Sequence, residues 1–212
     1  MNSTHHFASS IYKLMLIAAA TSGVWLAFLR PVDYGLSPLY FFTIQTNILV
    51  VLAVIYFLLF KRLTRLRAVV RGSVMLAIVV TGLVFHFLLV PYYPDFFGEG
   101  LSFRDHLTHT IVPLGYVLDW LFFDRKKQML FIDIGYFLIY PFLYWLFSVS
   151  RGAVTGFYPY YFMDVGNLGF SAVLLWLFIL TLFFVLIASM IIMIDNLDFL
   201  WQNRRKDQPA HS

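Results

Sequence analysis

The apolar residues of the chain gather into six long runs, at positions 11–29, 38–60, 72–90, 107–123, 128–149 and 168–194, with short polar breaks between them. A helix needs about 20 mostly apolar residues to cross the hydrocarbon core of a bilayer. These runs are continuous, whereas the strands of an outer-membrane barrel alternate with period two over about 10 residues. The pattern predicts an all-α polytopic membrane protein, with one domain over residues 1–212 folded as a bundle of six transmembrane helices. Lys13 followed by Leu14-Met15-Leu16-Ile17 has the look of a secretory leader. The apolar stretch continues through Val24, Trp25, Leu26 and Phe28, which predicts a true span. No repeat, low-complexity tract or soluble domain interrupts the pattern.

Short connections let the basic residues report orientation. Twelve of the fifteen fall on one side: Lys13, then Lys61, Arg62, Arg65, Arg67 and Arg71, then Arg125, Lys126 and Lys127, then Arg204, Arg205 and Lys206. Only Arg30, Arg104 and Arg151 fall on the other. The split predicts that both termini are cytoplasmic. Tyr34, Tyr40, Tyr92, Tyr93, Tyr158, Tyr160 and Tyr161 then gather at the outer interface, with Trp120 and Trp201 at the inner one. The sequon at Asn2 lies on the cytoplasmic side and is expected to stay unmodified.

Composition narrows the chemistry. Hydrophobic residues make up 61% of the 212 positions and charged residues 12%, with a mean hydropathy of +0.80. Soluble domains are about half apolar and a quarter charged, so a cytosolic globule, a disordered chain and a nucleic-acid module are excluded. The net charge of +4 comes from short basic clusters beside apolar runs and marks no nucleic-acid partner. The chain has no cysteine, which removes disulfides, thiolate nucleophiles, cysteine–zinc sites and acylation on sulfur. Threonine, serine, histidine and the carboxylates remain.

Polar side chains inside a span are costly and face the bundle interior, so they are the functional candidates. The second run opens Tyr40-Phe41-Phe42-Thr43-Ile44-Gln45-Thr46-Asn47, and Thr43, Thr46 and Asn47 share one helix face. Thr43 is expected roughly 9 Å below the outer interface, at 1.5 Å per residue. The fourth run opens Arg104-Asp105-His106-Leu107-Thr108-His109-Thr110-Ile111-Val112-Pro113, which puts His109 roughly 6 Å deep. Asp105, four residues earlier, is placed to accept from the His109 ring and orient it. Pro113 frees the His109 carbonyl from its helical bond. His86 in the third run reaches the same level, and Arg151 at the end of the fifth is placed to bind a carboxylate or phosphate. Each residue also has a purely structural use. A membrane threonine bonds its own helix, an amide ties helices together, and an arginine snorkels.

The stretches YFFTIQTN, VRG before an apolar span, HLTHTIVPLGYVLDW and RGAVTGFYPYYF resemble one family, the bacterial branch of the androgen-induced gene 1 and androgen-dependent TFPI-regulating proteins. The resemblance covers runs two to five and the loop after run five. It implies a six-span protein of the bacterial inner membrane. It also implies hydrolysis of fatty acid esters of hydroxy fatty acids by an intramembrane threonine and histidine. The family threonine falls on Thr43 and the histidine on His109, with Thr46 three residues away as a decoy. The chain departs from the animal pattern in Thr46-Asn47, where an acidic residue is expected, and in adding His86.

The chemistry is coherent on its own terms. Threonine needs an adjacent base, which His109 supplies, with Asp105 as orienter. Asn47, Gln45 or a protonated His86 are the oxyanion donors, and Arg151, Tyr158 and Tyr160 are the substrate-binding candidates. The partner is a membrane lipid or fatty-acyl ester, and no cofactor or metal is required. Three other readings stay open. A zinc-dependent hydrolase would use His86, His106, His109 and Asp105. A haem protein would use His86 and His109 as axial ligands. A non-enzymatic lipid-binding protein needs no catalytic pair.

Overall fold

A computed structural model describes residues 3–29, 37–60, 62, 64–94 and 100–206, with side chains between residues 6 and 197. The sequon at Asn2, Arg30, Tyr34, Lys61, Asp95 and Glu99 lie outside the described residues, as do the side chains of Trp201, Arg204, Arg205 and Lys206. Among the described residues all regular structure is helical, with no strand. The main helices are α1 (Ser3–Leu29), α2 (Phe42–Leu59), α3 (Arg65–Val84), α4 (Val112–Phe123), α5 (Ile134–Thr155) and α6 (Phe170–Lys206).

Five helical stretches are long and apolar enough to cross a membrane: His6–Leu29, Phe42–Leu59, Arg65–Tyr92, Phe131–Thr155 and Phe170–Leu197. They make the chain an integral, multi-pass helical membrane protein. The fourth expected run is built differently. A one-turn helix (Phe103–His106), a π-helical turn (Leu107–Ile111) and α4 follow one another without a break, so no single regular helix there reaches the length of a span. The boundaries have local causes. Ser37 and Pro38 set up a separate 3-10 turn over Pro38–Tyr40, and Phe41 is extended at φ −91° and ψ 133°, so α2 starts at Phe42 and not at 38. The Thr64 hydroxyl caps the α3 N-terminus by accepting from Arg67 N at 3.1 Å. Ser102 and Asp105 form a capping box that starts the fourth segment. Gly156, at φ 73°, ends α5 in the left-handed region that a residue with a Cβ rarely adopts.

Helix α3 is the centre of the bundle. It packs against α2, α4, α5 and α6, while α1 packs on α2 and α4. Met75, Leu76 and Ile78 on α3 are fully buried. Leu175, Phe178, Leu182 and Leu186 on α6 point outward, as a lipid-facing helix requires. Lipid tails are as apolar as leucine, so dispersion and polar ties, more than expulsion of water, hold such a bundle. The ties concentrate at the end that carries the basic loops. Lys13 Nζ meets Asp119 at 2.5 Å, Arg71 meets Asp119 at 2.8 Å and Asp124 at 2.6 Å, and Arg65 pairs with Asp133. Asp195 of α6 accepts from the backbone of Gln128 and Met129 at 2.7 and 2.9 Å, anchoring α6 to the α4–α5 connection.

Candidate active site

Thr43 is the second residue of α2. Phe41 offers no side-chain cap, so the first N–H groups of the helix, on Phe42 and Thr43, find no acceptor within it. The Thr43 hydroxyl is 3.2 Å from His109 Nε2. His109 is 9% exposed and its ring stacks face to face on Phe85, with centroids 3.6 Å apart and planes 10° from parallel.

Counting donors assigns the tautomer of His109. Its Nδ1 lies 3.2 Å from the Asp105 carbonyl and 3.1 Å from Thr108 Oγ1. The Thr108 hydroxyl already donates to the Arg104 carbonyl at 2.9 Å, so towards Nδ1 it can only accept. Both neighbours of Nδ1 are then acceptors, and the ring proton sits there. Nε2 is left with a lone pair facing the Thr43 O–H, the arrangement a general base requires.

The backbone that presents His109 is irregular for a reason. Val112 N bonds to Leu107 O in the π-helical turn, which releases the Thr108 carbonyl from its normal partner. Asn47 Nδ2 fills that gap at 3.2 Å and also donates to the Thr43 carbonyl at 2.8 Å. One amide therefore clamps the threonine helix to the histidine segment. Pro113 lacks an N–H, so the His109 carbonyl is free as well. That carbonyl packs on Gly82, where a Cβ would sit 2.8 Å from it. On the other side, a Cβ on Gly23 of α1 would lie 2.7 Å from Thr108 Cγ2. Two glycines from two helices thus admit the histidine segment at close range.

Thr43 forms part of the wall of a cavity of about 350 Å³ enclosed by α2, α3, α5 and α6. The wall is apolar, including Val80, Val84, Leu138, Tyr144, Phe162 and Leu180, and its polar groups are few. Ile139 and Phe142 also line it and are about half exposed, so the cavity opens sideways between α5 and α6. His109 stands behind Thr43, outside the lining. Tyr160 closes the loop end. Its phenol lines the same cavity as Phe42 and Thr43. Burial pushes that phenol above its ordinary value, so it stays neutral and able to donate at physiological pH.

The other expected residues take different places. The Asp105 carboxylate accepts from Ser102 N and Oγ at 3.1 and 2.6 Å and from Arg104 at 3.3 Å, so His109 is oriented by the Asp105 carbonyl and not by its carboxylate. Gln45 donates to the Leu39 carbonyl at 2.7 Å and accepts from the Tyr140 hydroxyl at 3.1 Å, so both ends of its amide are used away from Thr43. His86 pairs with Thr110 at 2.9 Å, outside the cavity. The Arg151 guanidinium lies 3.6 Å over the Tyr40 ring and 5.6 Å from Phe157, again outside the lining. Tyr158 packs on Gly152, fixing the loop after α5 to that helix. Thr46 is fully buried and bonds to the Thr43 carbonyl and to Thr81 at 3.0 and 2.9 Å. His106 is exposed, and among the described residues no three histidine or carboxylate side chains converge as a zinc site needs.

Thr108, Phe85 and Gly82 are the neighbours that the sequence pattern did not single out. A shared signal was present: Val90-Pro91 and Val112-Pro113 each follow a π-helical turn with a histidine inside it, at Phe85–Leu89 and Leu107–Ile111. In comparisons with known protein families, with curated proteins and with solved structures, nothing matches the chain. The functional reading therefore rests on the geometry of these residues.

Proposed function

We propose that the chain is an intramembrane lipid-ester hydrolase with Thr43 as nucleophile and His109 as general base. The substrate class is that of the androgen-induced gene 1 proteins which its motifs resemble, fatty acid esters of hydroxy fatty acids. The observation that carries the proposal is the 3.2 Å contact from the Thr43 hydroxyl to a histidine nitrogen whose opposite nitrogen has only acceptors around it. A neutral imidazole so held takes the hydroxyl proton as Thr43 Oγ1 attacks the ester carbonyl. The oxyanion forms at the α2 N-terminus, where the Phe42 and Thr43 N–H groups and the Tyr160 hydroxyl are the donors. His109 returns the proton to the leaving alcohol, and water then cleaves the acyl-threonine. The fatty chain lies in the apolar cavity and reaches it through the gap between α5 and α6. Within the same reading, the fourth run, 107–123, also crosses the membrane and brings the spans to six, both termini are cytoplasmic, the site lies in the outer half and the membrane is a bacterial inner membrane.

The test is hydrolysis of such an ester by purified protein in detergent. Thr43→Ala and His109→Ala are each expected to lower turnover by at least about 100-fold, and the double variant to be little worse, because nucleophile and base act as a unit. A fluorophosphonate probe should label the wild type and not Thr43→Ala. Near-full turnover by Thr43→Ala would overturn the mechanism.

A further inference from the structure

At the opposite end of the bundle the buried ion pairs do not balance. Lys13 and Arg71 are 4% and 3% exposed, and both bind Asp119, which is fully buried. Asp124 takes Arg71 at 2.6 Å and Arg67 at 3.8 Å. Arg125 follows directly, is exposed and makes no ion pair among the described residues. Lys13, Arg67, Arg71 and Arg125 thus lie among three carboxylates, Asp119, Asp124 and the buried Asp195, which lines a neighbouring cleft with Arg67, Arg71 and Arg125, an excess of one positive charge.

Beside this network lies a second cavity, of about 500 Å³, between the start of α1, the end of α2 and the end of α4. Lys13, Arg67, Arg125, Ser9 and Ser10 line it, with Lys13 Nζ donating to Ser9 Oγ and Ser10 Oγ donating to the His6 carbonyl, each at 3.0 Å. Arg67 Nη1 also donates to the Phe57 and Phe60 carbonyls at 3.3 and 2.8 Å, which removes the negative end of α2 from the path of an anion. His6 and Asp124, the latter held by Arg71 at 2.6 Å, complete the polar lining, and the rest of the wall, Phe57, Leu58 and Phe123, is apolar. It continues onto Leu59, Phe60 and Phe122, which are 70%, 58% and 67% exposed. Cations and hydroxyls inside, with an uncovered apolar rim beside them, match a molecule that carries a phosphate on acyl chains.

We propose that this cavity binds the phosphate headgroup of an anionic phospholipid, whose chains lie along the Leu59–Phe60 and Phe122 rim. Basic pockets at the ends of membrane helices hold such headgroups by charge and hydrogen bonds, and each arginine near an anionic surface is worth about a fivefold change in affinity. The site stands apart from the Thr43–His109 pair and does not depend on the hydrolase reading.

The experiment measures the melting temperature of the full chain in neutral detergent. It titrates short-chain phosphatidylglycerol, phosphatidylcholine of the same chain length and, separately, inorganic phosphate. Phosphatidylglycerol is expected to raise the melting temperature and phosphatidylcholine to leave it unchanged. Arg125→Gln should raise the half-effect concentration about fivefold. Ser10→Phe, which fills the cavity, should abolish the shift, with its melt in phosphatidylcholine showing that it folds. Arg62→Gln removes the same charge from an exposed position outside the cavity and should titrate as the wild type does. Equal responses from Arg62→Gln and Arg125→Gln would overturn the proposal. So would a full shift from inorganic phosphate alone, which would make the ligand a soluble phosphate compound.

Discussion

Thr43 and Thr46 are one turn apart on the same helix, yet their hydroxyls have opposite fates. Thr46 Oγ1 is closed in by the Thr43 carbonyl and by Thr81, while Thr43 Oγ1 faces a histidine nitrogen and an apolar cavity. Thr43→Ser keeps the hydroxyl and loses a methyl group, so it should retain measurable ester hydrolysis where Thr43→Ala does not. Thr46→Val removes a buried hydrogen bond and should cost about 1 kcal/mol of stability with turnover within about tenfold of wild type. Comparing both rates with thermal melts separates nucleophile from decoy. A greater loss of turnover in Thr46→Val than in Thr43→Ala would exchange their roles. At this scale the sequence was readable where two side chains meet. Two polar residues at similar expected depth on different runs pointed to Thr43 and His109, which lie 3.2 Å apart. It was unreadable where backbone groups are left open, because the N–H groups of Phe42 and Thr43 have no letter of their own. Asp105 illustrates a subtler failure. A spacing of four residues brings both its carboxylate and its carbonyl near His109, and Ser102 claims the carboxylate.

Among the elements, hydropathy located the helices and missed their irregularities. The runs at 38–60 and 107–123 are equally apolar throughout, so nothing in their hydrophobicity marks the 3-10 turn at Pro38–Tyr40 or the π-helical turn at Leu107–Ile111. Both irregularities bear on the site. The first delays α2 until Phe42 and brings Thr43 to its amino end. The second frees the carbonyl that Asn47 holds. The histidine segment also depends on the bare backbone of Gly82. Gly82→Ala would place a methyl carbon 2.8 Å from the His109 carbonyl, against backbone that cannot swing aside. We expect the displaced imidazole to lower turnover by about 10- to 100-fold, since misplacement by an ångström near a reacting group costs this much. The melting temperature, measured alongside, should fall too little for unfolding to explain that loss. Wild-type turnover in Gly82→Ala would show that the close approach does not position His109.

For the whole molecule, the positive-inside asymmetry makes an orientation testable because the chain lacks cysteine. Thr155→Cys lies at the exposed end of α5 on the Tyr160 side, and Arg125→Cys on the basic side. An impermeant maleimide should label the first in intact cells and the second only after the membrane is opened. The reverse pattern would invert the bundle. The site itself is assembled from widely separated stretches of chain: Thr43 in the second helix, His109 before the fourth, and Tyr160 in the loop beyond the fifth. A ribosome delivers these in order, at roughly 5–20 residues per second. The threonine therefore exists for several seconds of synthesis without its base, and longer without the tyrosine that covers it. On the proposed reading, a chain cut before position 109 would carry Thr43 and no base to activate it. Ester cleavage would then await the arrival of the last loop, so that synthesis of the chain would set when the chemistry can begin.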